Sequence, residues 1–211
     1  MLTITGIDSK TIIADLPQGP EYGVLYTGTP EGRNRYPSRR AVNRILRDLE
    51  DAGHPAALHI CGNFARVQLM EYAIPDLTHL VGRIQVNGRI VPGQLASICD
   101  VYSDHTIITQ HNEGVLGLLG VKATNHSILV DGSGGKGILP QNWIAPKIKK
   151  PIGFAGGLGP DNIIENLNKI MKVARKGWWI DMEAKVRTDD DWLDMYSVHD
   201  VVEQFKQETF L

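Results

Sequence analysis

The stretch Ser127–Gly137, SILVDGSGGKG, joins a short apolar run to a glycine-rich loop. The run Ile128–Val130 has the length and composition of a buried strand, and it ends at the carboxylate of Asp131. Because the glycines that follow have no side chains, their backbone amides can approach an anion closely, as in phosphate-binding loops. We therefore expect Asp131 to lie beside a phosphate site that includes Gly134 and Gly135. Glycine at a strand-to-helix turn can also serve steric needs alone.

A second stretch of the same kind, Ile152–Leu158, IGFAGGL, is again an apolar run that ends in two glycines, Gly156 and Gly157. Gly159–Asp161 follows it with residues that favour the start of a helix, and amides at such a position bind anions. Two strand ends of this kind in one chain indicate a parallel barrel.

Eight strand-like runs alternate with helical or connecting segments along the chain, and no linker or short repeat interrupts them. This pattern predicts a (β/α)8 TIM barrel that forms a single domain over residues 1–211. The predicted strands lie in Leu2–Ile7, Tyr22–Tyr26, Ala56–Cys61, Leu80–Val86, Thr106–Gln110, Ile128–Asp131, Ile152–Leu158 and Trp178–Met182. The predicted helices are Arg39–Ala52, Gly62–Leu69, Val91–Asp104, Gly114–Lys122, Asp161–Arg175 and Val198–Gln207.

The composition narrows the choice of partners. A formal net charge of -2 and a pI near 6.4 give no basic surface for nucleic acid or an acidic membrane. Two cysteines are too few for a disulfide framework, and we find neither a signal-peptide pattern nor an apolar run of membrane-spanning length. We expect a cytoplasmic protein, a monomer or homodimer, whose partner is a small molecule.

The active site of a TIM barrel lies at the carboxyl ends of its strands, so polar residues there are the candidates. Strands of such a barrel are covered on both faces, so alternation does not show which residues point inward. Candidate acid, base or nucleophile groups at these ends are Asp8, Cys61, Asp131, Asp181 and Glu183. Candidate substrate-binding residues are Arg35, His59, Gln85, His111, Gly156 and Gly157.

Several of these motifs together resemble those of the phosphoribosylanthranilate isomerase family. TITG at Thr3–Gly6 falls where that family has KICG, and RYPS at Arg35–Ser38 falls where it has RYVS. The resemblance continues through VDGSGGKG, Trp143 and AGGL to the strand that carries Asp181. It implies a TIM-barrel enzyme that catalyses an Amadori-type isomerisation of a phosphoribosyl amine without metal or cofactor. It also implies roles for single residues: Asp131 as general acid, Arg35 for a substrate carboxylate, and the Gly156 and Gly157 amides for phosphate.

Two departures set this chain apart from the family pattern. Thr5 stands where the family has its general-base cysteine, and a hydroxyl does not ionise near neutral pH. Glu183–Arg187 replaces a serine- and glycine-containing turn that supplies phosphate amides, so Lys185 or Arg187 is the candidate to bind the anionic group. We therefore expect a divergent branch that does not isomerise phosphoribosylanthranilate at a useful rate.

The residues leave three functions open. In the first, the protein is an isomerase or lyase for a small phosphorylated sugar or nucleotide-like metabolite, and its base is Asp8, Cys61, Asp181 or Glu183. We expect Lys185 and Arg187 to pair with Asp181 and keep it ionised, and we expect the acidic run Asp189–Asp191 to be solvated or to cap a helix. In the second, the barrel binds a phosphorylated ligand without catalysis. In the third, it is a metal-dependent sugar-phosphate epimerase, for which His59, Cys61, His111 and Asp181 are the candidate ligands, although no spacing signature supports a metal site.

Overall fold

The structure is a computed structural model that describes residues 1–29, 31–111, 116–131 and 136–209. Eight parallel strands follow one another in chain order around a closed barrel, and the last strand pairs with the first. The prediction of a (β/α)8 barrel is therefore confirmed. The strands are β1 (Leu2–Thr5), β2 (Glu21–Tyr26), β3 (Ala56–Ile60), β4 (Arg83–Val86), β5 (Thr106–His111), β6 (His126–Asp131), β7 (Ile152–Ala155) and β8 (Trp179–Met182).

Helices pack on the outside of the strands. The first begins where Ser38 accepts a hydrogen bond from the amide of Ala41 at 3.3 Å, and its apolar face contacts the barrel. In the described segments the α-helices are α1 (Arg39–Asp51), α2 (Gly62–Met70), α3 (Pro75–Thr78), α4 (Pro92–Val101), α5 (Ile163–Met171) and α6 (Met195–Thr209). None of the helices in these segments is long and apolar enough to cross a membrane.

The helical predictions differ from the structure mainly in three places, besides shifts of up to three residues at the ends of α4 and α6. The helix predicted at Gly114–Lys122 is a short 3-10 helix at Leu116–Gly120, as far as that segment is described, because its glycines weaken an α-helix. The helix predicted at Asp161–Arg175 is confined to α5, since Asn162 adopts a non-helical conformation before it. The short helix α3 was not predicted, although a proline at its first turn favours a helix start.

The interior of the barrel is filled at its amino-terminal end. Glu21 and Arg83 form an ion pair of 2.8 Å there, and the Arg83 guanidinium lies 4.4 Å from the ring centroid of Trp179. Gly153 leaves the space that this ring occupies, because a Cβ atom at that position would lie 2.1 Å from it. Trp179 also forms a small apolar cluster with Ile108, Leu129 and Ala155. The open space therefore lies at the carboxyl ends of the strands.

Candidate active site

A cleft opens at the carboxyl ends of the strands, with about 510 Å³ of empty volume including the solvent at its mouth. Several residues that the sequence nominated lie on its wall, among them both strand-end aspartates. The lining residues are Arg35, Gln85, Asn87, Gln110, Leu129, Asp131, Gly137, Ala155, Gly156, Gly157, Leu158, Asp181, Met182, Glu183 and Ala184.

Asp181 lies at the end of β8, buried in the wall of this cleft. The hydroxyl of Thr5 on the neighbouring strand β1 donates a hydrogen bond of 2.6 Å to its Oδ1 atom. Burial raises the pKa of Asp181 to about 6, and the nearby charge of Asp131 adds to this, whereas hydrogen bonds from Thr5 and Gln85 oppose it. The cleft thus holds a carboxyl group whose pKa lies close to neutral pH.

Arg187 and Lys185 do not pair with Asp181, so that expectation is wrong. Arg187 turns instead toward the loop after β1, where its Nη2 lies 3.2 Å from Asp8 Oδ2 and its Nη1 donates to the Gly6 carbonyl at 2.6 Å. Asp8 also accepts hydrogen bonds from the amides of Lys10 and Leu193. The exposed Lys185 packs its stem beside the backbone of Gly159.

Asp8 and Arg187 together join the loops after β1 and β8. Both side chains are nearly inaccessible to solvent, with 1% and 2% exposure. Neither of them lines the cleft. The carboxylate of Asp8 is thus committed to the protein's own backbone and to Arg187, which leaves it poorly placed to act as a base.

Arg35 reaches the edge of the cleft from the loop after β2. Its Nη1 atom lies 2.5 Å from Glu183 Oε1, and its Nε atom donates to Asp191 Oδ1 at 2.7 Å. The guanidinium therefore binds two carboxylates of the protein itself. Asp191 was not among the site residues nominated from the sequence, because nothing in its acidic run distinguishes it from its neighbours.

A chain of hydrogen bonds runs across β3 and β4 beneath the cleft. The side-chain amide of Gln85 lies 3.2 Å from Nδ1 of His59 and donates to Asn87 at 3.0 Å, and Asn87 in turn contacts the sulfur of Cys61 at 3.3 Å. Burial lowers the pKa of His59 to about 4 and raises the pKa of Cys61 to about 12. Both groups are therefore neutral near pH 7, and the thiol is a poor source of a base.

The residues proposed for a metal site are not brought together. Gln110 lines the cleft, whereas the next residue on β5, His111, does not, as expected from the alternation of side chains along a strand. Burial lowers the pKa of His111, and its Nδ1 atom has no hydrogen-bond partner among the described residues. No three His, Cys, Asp or Glu side chains in the described segments could share a metal ion.

The loops after β6 and β7 lie against each other in their described parts. Gly156 and Gly157 have φ angles of 118° and 65°, and a Cβ atom on Gly157 would lie 2.5 Å from the amide nitrogen of Leu139. A Cβ atom on Gly156 would lie 3.3 Å from Oδ1 of Asp131. Gly156 thus lets the backbone approach the carboxylate of Asp131, and Gly157 lets it approach the neighbouring loop, while Gly134 and Gly135 lie outside the described residues.

The fold and the cleft define a TIM barrel whose mouth carries two strand-end carboxyl groups and a glycine loop. No protein-family model matches the chain, and no curated protein sequence does. Solved structures of phosphoribosylanthranilate isomerases share its fold over nearly the whole chain. TrpF from Jonesia denitrificans aligns with a TM-score of 0.73 and 13% identity, covering 99% of this chain and 97% of that one.

Two further structures give the same result. The isomerase from Thermus thermophilus has a TM-score of 0.67 and 15% identity, with 98% of each chain covered. A phosphoribosylanthranilate isomerase in complex with reduced 1-(o-carboxyphenylamino)-1-deoxyribulose 5-phosphate has a TM-score of 0.67 and 16% identity, again with 98% of each chain covered. The resemblance noted in the sequence is therefore confirmed at the level of the fold.

Proposed function

We propose that this protein is an isomerase that acts on a small phosphorylated sugar by acid–base chemistry, with Asp131 and Asp181 as its two catalytic groups. The observation that carries the proposal is that both carboxyl groups line one cleft and lie close enough to interact electrostatically. Two carboxyl groups in different surroundings are a common way to supply an acid and a base at the same pH.

Asp181 is the best candidate for the base. Its pKa of about 6 leaves it mostly ionised at neutral pH and still basic enough to accept a proton. The other candidates are engaged or neutral: Asp8 pairs with Arg187, Glu183 pairs with Arg35, and the Cys61 thiol holds its proton. Thr5, which replaces the cysteine of the resembling family, takes the role of a positioning residue through its hydrogen bond to Asp181.

The reaction follows from these roles. Asp131 donates a proton to the ring oxygen of a phosphoribosyl amine, and the bond between that oxygen and C1 breaks to give an open-chain iminium. Asp181 then removes the proton from C2, which produces an enolamine. Gain of a proton at C1 and loss of the proton from the C2 hydroxyl complete the aminoketose, so the net change is an isomerisation without a redox partner.

The phosphate of the substrate is proposed to bind beside Gly156 and Gly157. Their left-handed backbone suits the approach of an anion. A structure of similar fold holds a phosphorylated sugar amine, which supports this substrate class. The competing function, ligand binding without catalysis, would use the same phosphate site but would not require two carboxyl groups in one cleft.

Hydrogen exchange at C2 tests the proposal without knowledge of the natural substrate. Ribose 5-phosphate and phosphoribosyl amines, among them N-phenyl phosphoribosylamine, would be incubated with the protein in D2O and followed by NMR. We expect exchange that rises as the pH passes through about 6 and that falls about 100- to 10,000-fold in Asp181→Asn. The matched control is Asp189→Asn, which changes an exposed acid in a nearby loop.

Asp131→Asn separates the two roles. It should slow ring opening of the phosphoribosyl amines and leave exchange at C2 largely intact for a substrate that cannot form a furanose ring, such as erythrose 4-phosphate. Normal exchange in Asp181→Asn would remove that residue from the mechanism. Binding of phosphorylated sugars by the wild-type protein, without exchange for any of them, would establish the non-catalytic alternative.

A further inference from the structure

Three arginines converge on one aspartate, Asp191, and one of them, Arg35, lines the cleft. The Oδ1 atom of Asp191 accepts hydrogen bonds from Nε of Arg35 at 2.7 Å and from Nε of Arg187 at 3.1 Å. Its Oδ2 atom lies 3.3 Å from Nε of Arg33. A second cavity, lined by all three arginines, lies beside this cluster. The acidic run Asp189–Asp191 is therefore not simply solvated, because its last member is the centre of an ion-pair cluster.

The cluster is built into the fold. The side chains of Arg35 and Asp191 are 14% and 19% exposed, and that of Arg187 is 2% exposed. Asp191 has a φ angle of 66°, a left-handed conformation that costs free energy for a residue other than glycine. Burial by itself would raise the pKa of Asp191, but its contacts with the arginines lower it. The carboxylate is thus held as an anion at a fixed position.

Arg35 connects this cluster to the cleft. It lines the cleft, and its guanidinium is shared between Asp191 and Glu183. Burial opposes the charge of Arg35, but the two carboxylates outweigh burial and raise its pKa. A ligand that reaches Arg35 therefore meets a cation that two carboxylates of the protein have already neutralised.

We infer that Asp191 is a specificity-determining residue. Its carboxylate occupies the groups of Arg35 that would otherwise bind an anion, so the protein selects ligands that carry no charge where they contact Arg35. This inference rests on the proposed function, since it concerns a part of the substrate other than its phosphate: Arg35 follows β2, whereas Gly156 and Gly157 follow β7. A carboxylate on the ligand would have to displace Asp191 from three arginines or lie next to two anions. Either event weakens binding, and an uncharged end avoids both.

A pair of ligands that differ in one carboxylate tests this inference. The first is reduced 1-(o-carboxyphenylamino)-1-deoxyribulose 5-phosphate, and the second is the same compound with an unsubstituted phenyl ring. Calorimetry would measure the affinity of both for the wild-type protein and for Asp191→Asn. Asparagine keeps the shape of the side chain, tolerates the left-handed backbone and removes the charge.

We expect the wild-type protein to bind the phenyl compound at least tenfold more tightly than the carboxyphenyl compound. In Asp191→Asn the carboxyphenyl compound should gain at least tenfold in affinity, while the phenyl compound changes less than threefold. Asp189→Asn is the matched control, because it removes one charge from the same exposed loop. Its ratio of affinities should equal that of the wild-type protein.

Glu183→Gln provides a second route if Asp191→Asn folds poorly. It frees one nitrogen of Arg35 without touching the backbone of the Asp191 loop, and it should also improve binding of the carboxyphenyl compound. A wild-type preference for the carboxyphenyl compound, or an unchanged ratio in Asp191→Asn, would overturn the inference and leave the proposed function standing. If neither compound and no inorganic phosphate bound to any variant, the phosphate site of the proposed function would fail, and the inference with it.

Discussion

Asp181 and Thr5 show how a residue's neighbours decide its chemistry. The carboxyl group is buried, and only part of the cost of its charge is offset by the hydrogen bond from Thr5. A raised pKa in the folded state means that the folded protein keeps a proton that the unfolded chain has already lost. Between pH 4 and 6 the folded state therefore binds more protons, and stability falls as the pH rises through that range.

Asp181→Asn should remove this pH dependence. For a carboxyl group with an ordinary pKa near 4 and a folded-state pKa of about 6, the loss between pH 4 and pH 7 is up to about 3 kcal/mol. Urea unfolding at pH 4, 5, 6 and 7 would measure it, and the variant should gain stability relative to the wild-type protein as the pH rises. In the exposed-site control Asp189→Asn the wild-type pH dependence should persist. A constant difference between Asp181→Asn and the wild-type protein at every pH would show that Asp181 has an ordinary pKa.

The site could be predicted only in part at the scale of single residues. Asp131, Asp181, Glu183 and Arg35 were nominated because they follow strands, and the structure places them on one cleft. The partner of each was not predictable, because ion pairs such as Arg35 with Asp191 join residues 156 positions apart. Asn87 and Gln110 also line the cleft. Side chains two residues apart on a strand share a face, so Asn87 lies on the same side as Gln85. This relation predicts the lining of the cleft only once one inward-facing position on the strand is known.

At the scale of elements, the loops after β6 and β7 depend on their glycines for contact. Gly157 has a left-handed backbone, and a side chain there would enter the backbone of Leu139 in the neighbouring loop. Gly177 is also left-handed, with a φ angle of 85°, but a Cβ atom there would meet nothing within 4 Å. The two positions therefore separate the cost of backbone strain from the cost of a clash.

Gly157→Ala should destabilise the protein more than Gly177→Ala. Both variants lose about 1 kcal/mol through the left-handed backbone, and Gly157→Ala loses a further 1–3 kcal/mol, roughly, because the neighbouring loop must move. Chemical denaturation would compare them, and titration with inorganic phosphate should show weaker binding for Gly157→Ala alone. Equal losses of stability in the two variants would mean that the loops can separate freely.

The positions of the elements along the chain were easier to predict than the contents of the loops. Strand positions follow from apolar runs, and the start of α1 follows from Ser38, which caps it. The region after Arg187 was predicted as an acidic loop, whereas the chain there returns on itself through a bridge between Arg187 and Leu193. That turn depends on the buried carboxylate of Asp8, which lies far away in sequence and accepts a hydrogen bond from the amide of Leu193.

At the scale of the whole molecule, the barrel closes where its first and last strands meet. The loops beyond these two strands are joined by the pair of Asp8 and Arg187, which is almost fully buried. The pair of Arg39 and Asp76 offers a contrast, since both of its side chains are 43% exposed. Removing Asp8 leaves the buried Arg187 with the partly exposed Asp191 as its remaining carboxylate partner among the described residues, whereas an exposed charge regains its hydration.

Asp8→Asn should therefore destabilise the barrel by about 3 kcal/mol or more, and Asp76→Asn by less than about 1 kcal/mol. Urea unfolding would be followed by far-UV circular dichroism and by tryptophan fluorescence, which reports on the buried rings of Trp143 and Trp179. Because every strand is held on both sides by a neighbour, the chain should unfold as one unit, and the two signals should coincide in both variants. If Asp8→Asn lost one signal before the other, the seam between the first and last strands would open separately from the rest of the barrel. Equal losses in the two variants would show that the buried pair does not hold the barrel closed.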